Sequence, residues 1–179
     1  TLFVHPLEDT YYRAKISNGT DAPAFSNLVK VSVIPSVSNS PIWGNSVVCN
    51  GYQEYFSVDS IPGTLNYTWT LPPGWLGSST SSSILATTNS TGGFITVSAN
   101  TICGTVSPLS KMITVTNIDT SLFWSGNELW SNAVGITGVT YKWIDCLTNI
   151  EVGSWEFFEP TQNGSYACII SYDGCTDTS

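Results

Sequence analysis

The chain has 179 residues, room for one large domain or two to three small ones. Only 10% of them are charged, against ~25% in an average globular protein, and the net charge is −8 with five Lys and Arg together. So few cations exclude phosphate neutralisation, and with it nucleic acid as a partner; anionic membrane surfaces repel such a chain. A His-based metal site or a catalytic triad would have only His5 to work with, and no apolar run approaches the ~20 residues of a membrane span.

The chain is 41% hydrophobic and 12% aromatic, which supports a packed core. Helical periodicity is almost absent. Short alternating runs rich in Val, Ile, Thr, Tyr, Phe and Trp, separated by Gly, Pro, Asn and Ser, predict an all-β sandwich. In chain order the predicted strands are 11–17, 27–33, 54–58, 66–71, 83–87, 94–99, 111–116, 121–124, 140–145, 155–158 and 165–172. Asp173-Gly174 after the last of these predicts a tight hairpin turn, because Gly tolerates the positive φ it needs.

Internal repetition divides the chain. Tyr67-Thr68-Trp69 and Tyr141-Lys142-Trp143 are the same pattern 74 residues apart. Thr10-Tyr11-Tyr12-Arg13-Ala14, Gly93-Phe94-Ile95-Thr96-Val97 and Gly164-Ser165-Tyr166-Ala167-Cys168 also superimpose. The spacings fit parts of three small sandwiches in tandem. Residues 1–35 are read as the end of a first module, 36–118 as a complete middle module, and 119–179 as a third module lacking its last strand. The polar, proline-bounded run from Ile34 to Pro41 reads as a short, stiff linker. Thr1 and Ser179 fall inside these patterns, which predicts a piece of a longer chain.

In an immunoglobulin-like sandwich a Trp on strand C fills the space between the sheets, and a Tyr near the start of strand F ties its hydroxyl back to the chain. Trp69 and Trp143 fit the first role and Tyr166 the second. The five cysteines, Cys49, Cys103, Cys146, Cys168 and Cys175, contain no CxxC spacing, so disulfides in an oxidising compartment are the better reading than zinc. Cys49–Cys103 is the expected bridge of the middle module. Cys146–Cys175 is expected in the third, on the reasoning that neighbouring strands C and F bring them close. Cys168 is read as a buried free thiol acting as a small hydrophobe.

The run Tyr67-Thr68-Trp69-Thr70-Leu71-Pro72-Pro73-Gly74-Trp75, with Gly93 to Asn100 and Cys103-Gly104, resembles the PKD-like repeat of Bacteroidota secreted surface proteins. Trp143-Ile144-Asp145-Cys146, the run from Phe158 to Ala167, and Asp173-Gly174-Cys175 resemble the Ig-like repeat found beside it; residues 11–33 resemble the end of another. The resemblance implies tandem Ig-like and PKD-like β-sandwiches, here a stalk or fibre segment of a large multi-repeat adhesin on the cell surface. Many such proteins are secreted by the type IX system and held at the outer membrane, and some serve gliding motility. Its partners would be neighbouring repeats and the secretion and anchoring machinery, reached through other parts of the protein. It carries no catalytic residues and no cofactor, so no enzymatic activity is expected. The family usually has an aliphatic residue where Cys168 stands, which makes Cys146–Cys168 an alternative bridge. Asp59-Ser60-Ile61 resembles the acceptor motif for O-linked glycans in this bacterial group, naming Ser60 as a candidate.

Other chemistry is thin. No EF-hand spacing occurs. Calcium at a module junction, near Asp119 or Asp21, is the one cation candidate, set against the weightier reading of solvated carboxylates. Trp43, Trp75, Trp124, Trp130 and Trp155 exceed what the cores need. Exposed Trp faces stack on sugars, so a carbohydrate- or surface-binding module, free-standing or accessory to a secreted hydrolase, is the second reading. A row of exposed aromatics would support it. The opposing expectation is that Trp43 and Trp124, each just past a boundary, plug module junctions, and that Trp75 folds back on its own module.

Overall fold

The computed structural model describes residues 3–33, 41–102 and 104–179. Every regular element among them is a β-strand, eighteen in all. The expected linker lies outside the described residues except for Pro41.

The first segment is one long, bent hairpin. Strands β1 (Thr10–Tyr12) and β4 (Val29–Val31) pair antiparallel, and further along the same arm β2 (Lys15–Ile16) pairs with β3 (Ala24–Phe25). None of its described residues belongs to the buried core. Its polar contacts are local: Lys30 meets Asp9 at 2.7 Å, and the Arg13 guanidinium lies 4.1 Å over the Phe25 ring.

The middle segment is a sandwich. One layer holds β6 (Gln53–Ser57) and β8 (Ser83–Thr87), extended by bridges from Trp43 to Ser57 and Leu76 to Thr87. The other is built on β9 (Gly93–Thr101). Strand β7 (Thr64–Thr70) lies on one side of β9; β10 (Gly104–Thr105) and β11 (Leu109–Thr116) lie on the other. Strand β5 (Val47–Cys49) then adds to β11 in parallel. Period-two alternation fills the space between layers: Phe56 and Val58, Ile84 and Ala86, Ile95, Val97 and Ala99, and Ile113 all face inward.

Trp69 departs from its expected place. The fully interior position on β7 belongs to Tyr67, whose hydroxyl accepts the Ile61 N–H at 2.9 Å. Trp69 is only half-buried, packing against the core while its indole N–H reaches the Ser81 carbonyl at 2.9 Å. Both residues share the inward face of β7, an edge strand paired with β9 alone, and Tyr67 takes the deeper of the two places. Trp75 does fold back on its own sandwich. It is buried against Phe56 and donates to the Thr91 carbonyl at 2.8 Å. The turn that carries it needs Gly74 at φ +81°, where a Cβ would also strike the Asn89 amide.

The third segment is a smaller sandwich. Strands β12 (Leu122–Ser125), β13 (Glu128–Ser131) and β16 (Phe157–Phe158) form one layer. Strands β14 (Thr140–Asp145), β15 (Glu151–Gly153), β17 (Tyr166–Tyr172) and β18 (Cys175–Thr178) form the other, in the order β15-β14-β17-β18. Trp143 is 0% exposed at its centre, among Leu129, Ala133, Cys168 and Ile170, and its indole N–H donates to the Trp155 carbonyl at 2.8 Å.

A disulfide joins Cys49 to Cys175, across the two sandwiches, with Cα atoms 5.5 Å apart. Both expected bridges are therefore corrected. Cys103 itself lies outside the described residues. Its neighbours Thr101 and Gly104 pair where β9 ends, while Cys49 sits beside Thr116 at the other end of the sheet. In the third sandwich, antiparallel pairing sets Asp145 against Tyr166 and Thr140 against Ser171. Cys146 thus follows one end of β14 while the Asp173-Gly174 turn delivers Cys175 to the other, about 17 Å away at ~3.4 Å per residue. The alternative partner Cys168 is opposite Trp143 and wholly buried, whereas Cys146 is exposed; both are free thiols.

Candidate functional site

An open groove of about 640 Å³ lies in the third sandwich, lined by Trp124, Gly126, Asn127, the loop 159–164 and Tyr166. It lies where β12 ends and β17 begins. The junction with the middle sandwich is at the other end of β17, so the groove is distal to it. Trp124 is 64% exposed. It does not plug the junction as its sequence position suggested, because β12 runs away from the boundary and carries Trp124 to the free end.

Two local devices shape the walls. Gly126, at φ +64°, lets β12 turn tightly into β13 and brings Asn127 to the rim. Opposite, the loop 159–164 is tied down by Tyr166, whose hydroxyl donates to the Gln162 carbonyl at 3.1 Å. The Tyr166 ring packs against Phe158 at 4.9 Å. Gly164 lies close beneath it: a Cβ there would come within 3.1 Å of the ring, so any larger residue would have to shift the Tyr166 ring. The Gly164-Ser165-Tyr166 motif thus sets the wall of the groove.

The chemistry of the lining is uniform. Asn127, Gln162, Asn163 and Thr161 offer amides and a hydroxyl, Glu159 is the one charge, and no Lys or Arg takes part. Amides both donate and accept, as a sugar hydroxyl does. An exposed indole beside them offers an apolar face of the size of a sugar ring.

A second aromatic group lies on the outer face of the same layer. Phe123, Trp130 and Phe157 occupy one cross-strand row, with centroids 6.5 and 4.8 Å apart and planes within 27°. Trp130 and Phe157 turn their faces toward each other, and Glu128 holds the Trp130 indole N–H at 3.1 Å. These rings pack on one another along the sheet, whereas Trp124 stands exposed at the rim of the groove. Trp155 is exposed outside the groove, and Trp43 is half-exposed with its indole on Asp59 at 3.3 Å.

The remaining candidates lie apart. Ser60 is exposed after β6, and His5 is exposed ahead of the first hairpin. Among the described residues no three His, Cys, Asp or Glu side chains converge as a metal site. Asp119 uses both carboxylate oxygens on the chain: one accepts from the backbone and hydroxyl of Ser121 at 2.9 and 2.6 Å, the other from Asn132 at 2.6 Å. Asp21 accepts from Asn18. Burial pushes the Cys168 thiol up to about 11.

Residues 35–115, a stretch that takes in most of the middle sandwich, match the model of a PKD-like domain, whose fold is Ig-like. No curated protein matches the sequence. Among solved structures, the chain is similar to SGBP-B of the Bacteroides ovatus mixed-linkage glucan utilization locus, solved in complex with a mixed-linkage heptasaccharide. Identity is 16% and the TM-score 0.30, over 94% of this chain and 53% of that one, so this chain spans about half the length of that protein. An overlap this loose transfers no ligand. Among the described residues no helix is long and apolar enough to cross a membrane, and the disulfide belongs to oxidising, extracytoplasmic surroundings.

Proposed function

We propose that this chain is an extracellular segment of a surface protein that holds neutral polysaccharide in the groove of its third sandwich. The observation that carries the reading is Trp124: an open indole face at the rim of a groove walled by three side-chain amides, the Thr161 and Tyr166 hydroxyls and Glu159. Stacking supplies affinity and the amides supply orientation. Glu159, with no cation in the lining, disfavours acidic sugars. Titrating the protein against neutral and acidic polysaccharides, read by pull-down and Trp fluorescence, tests it. Saturable binding to a neutral polymer is expected, weakened at least ~30-fold by Trp124→Ala, the loss typical of a dominant interface aromatic. Binding untouched by that change, or no binding by folded, oxidised protein, overturns it.

A spacer role is the second reading, favoured by the disulfide that locks two sandwiches together. In that reading the segment is part of a stalk carrying an adhesive tip, and the repeat resemblance supplies the finer detail of type IX export and of adhesion or gliding.

A further inference from the structure

Cys49 stands in the first strand of the middle sandwich and Cys175 opens the last strand of the third. The bridge therefore closes a loop of 126 residues that contains nearly all of both cores. Upstream of it, residues 41–48 are held by the Trp43–Ser57 bridge, by Val47 and Val48 on Thr114 and Val115, and by the Lys111 ammonium on the Ile42 and Gly44 carbonyls. Downstream, Thr176, Asp177 and Thr178 pair with β17. The bridge does not stand alone: the Tyr52 hydroxyl donates to the Thr176 carbonyl at 2.8 Å, and Thr116 meets Asp173 across the same junction.

We infer that the Cys49–Cys175 bridge is a mechanical bypass that keeps both sandwiches out of the path of tension transmitted along the chain. Force entering before Cys49 crosses the sulfurs and leaves after Cys175. A covalent link between Cα atoms 5.5 Å apart is far shorter and stiffer than the parallel route through the loop. The 126-residue detour stays slack, and only the flanks outside the bridge are peeled. A bridge inside either sandwich, such as the sequence suggested, would have protected that sandwich alone and left its neighbour exposed. The inference rests on connectivity and concerns tension carried along the chain, as distinct from load applied through the groove, which lies inside the bridged loop.

Single-molecule stretching between handles at the two ends tests it, on the same protein before and after reduction. The oxidised protein should extend by no more than its flanks allow, about 180 Å of contour at ~3.5 Å per residue. Reduction should release the loop and add about 430 Å on the same scale. The Cys49→Ser/Cys175→Ser variant should behave as the reduced protein; if it does not fold, reduced protein with an intact circular dichroism spectrum takes its place. Oxidised protein that already yields the longer extension, or reduced protein that adds none, overturns the inference. So does a non-reducing peptide map that joins Cys49 to another cysteine.

Discussion

Cys146 and Cys168 share a residue type and a sandwich but not a chemistry. Cys146 sits in an exposed turn after β14, with its backbone N–H on the Ser165 carbonyl. Cys168 is wholly buried beside Trp143, and desolvation of its thiolate holds the thiol to about 11. A thiol attacks only as thiolate. In native protein at pH 8, iodoacetamide should therefore modify Cys146 and spare Cys168, which should react only after unfolding; mass mapping of the alkylated peptides reads this directly. Equal labelling of both in folded protein would refute the packing described for the third core. Cys168 was readable as a free, buried thiol because no cysteine stands at 127–132, where its usual inter-sheet partner would run. The pairing of the other cysteines was not. Chain proximity and module membership suggested local bridges, whereas the partner of Cys49 is set by which ends of which strands meet, a property of the assembled pair of sandwiches.

The elements that could be read from sequence are those whose signal is local. Asp173-Gly174 forms the expected two-residue hairpin, with φ +51° and +78°, and Trp143 lies between the sheets. Strand β5 was missed because its three residues show no alternation and its partner is a parallel strand more than sixty residues away. The groove was missed because its two walls are far apart in sequence: one is the β12–β13 hairpin turn, the other the loop 159–164 that crosses from β16 in one layer to β17 in the other. Two of its residues carried a signal: Trp124 as one of five surplus tryptophans, with nothing to single it out, and Tyr166 for its tether, which concerns the wall rather than the groove. Its tether can be tested alone. Tyr166→Phe removes one partly exposed hydrogen bond to Gln162, so denaturant unfolding should show a loss of about 0.5–1 kcal/mol. Affinity for the polysaccharide bound by the groove should fall further than that loss of stability implies, because the freed loop must be ordered on binding. Unchanged affinity would mean that the loop 159–164 is no wall of the site.

At the scale of the whole molecule, two cores of unequal size share one covalent clasp. The middle sandwich buries an extended cluster from Ile42 to Ile113; the third buries a small set around Trp143. Small cores gain most from a staple. In the chain-entropy picture a loop of 126 residues is worth about 5 kcal/mol, and that stabilisation belongs to the pair, since either sandwich must open against a loop pinned at both ends. Reduction should therefore split a coupled thermal transition into two. The lower one should belong to the third sandwich and be followed by the near-ultraviolet signal of buried Trp143. It should move furthest, because the middle sandwich retains its larger core. If reduction leaves the transition single and at the same temperature, the clasp contributes no stability, and its remaining role would be the one that tension reveals.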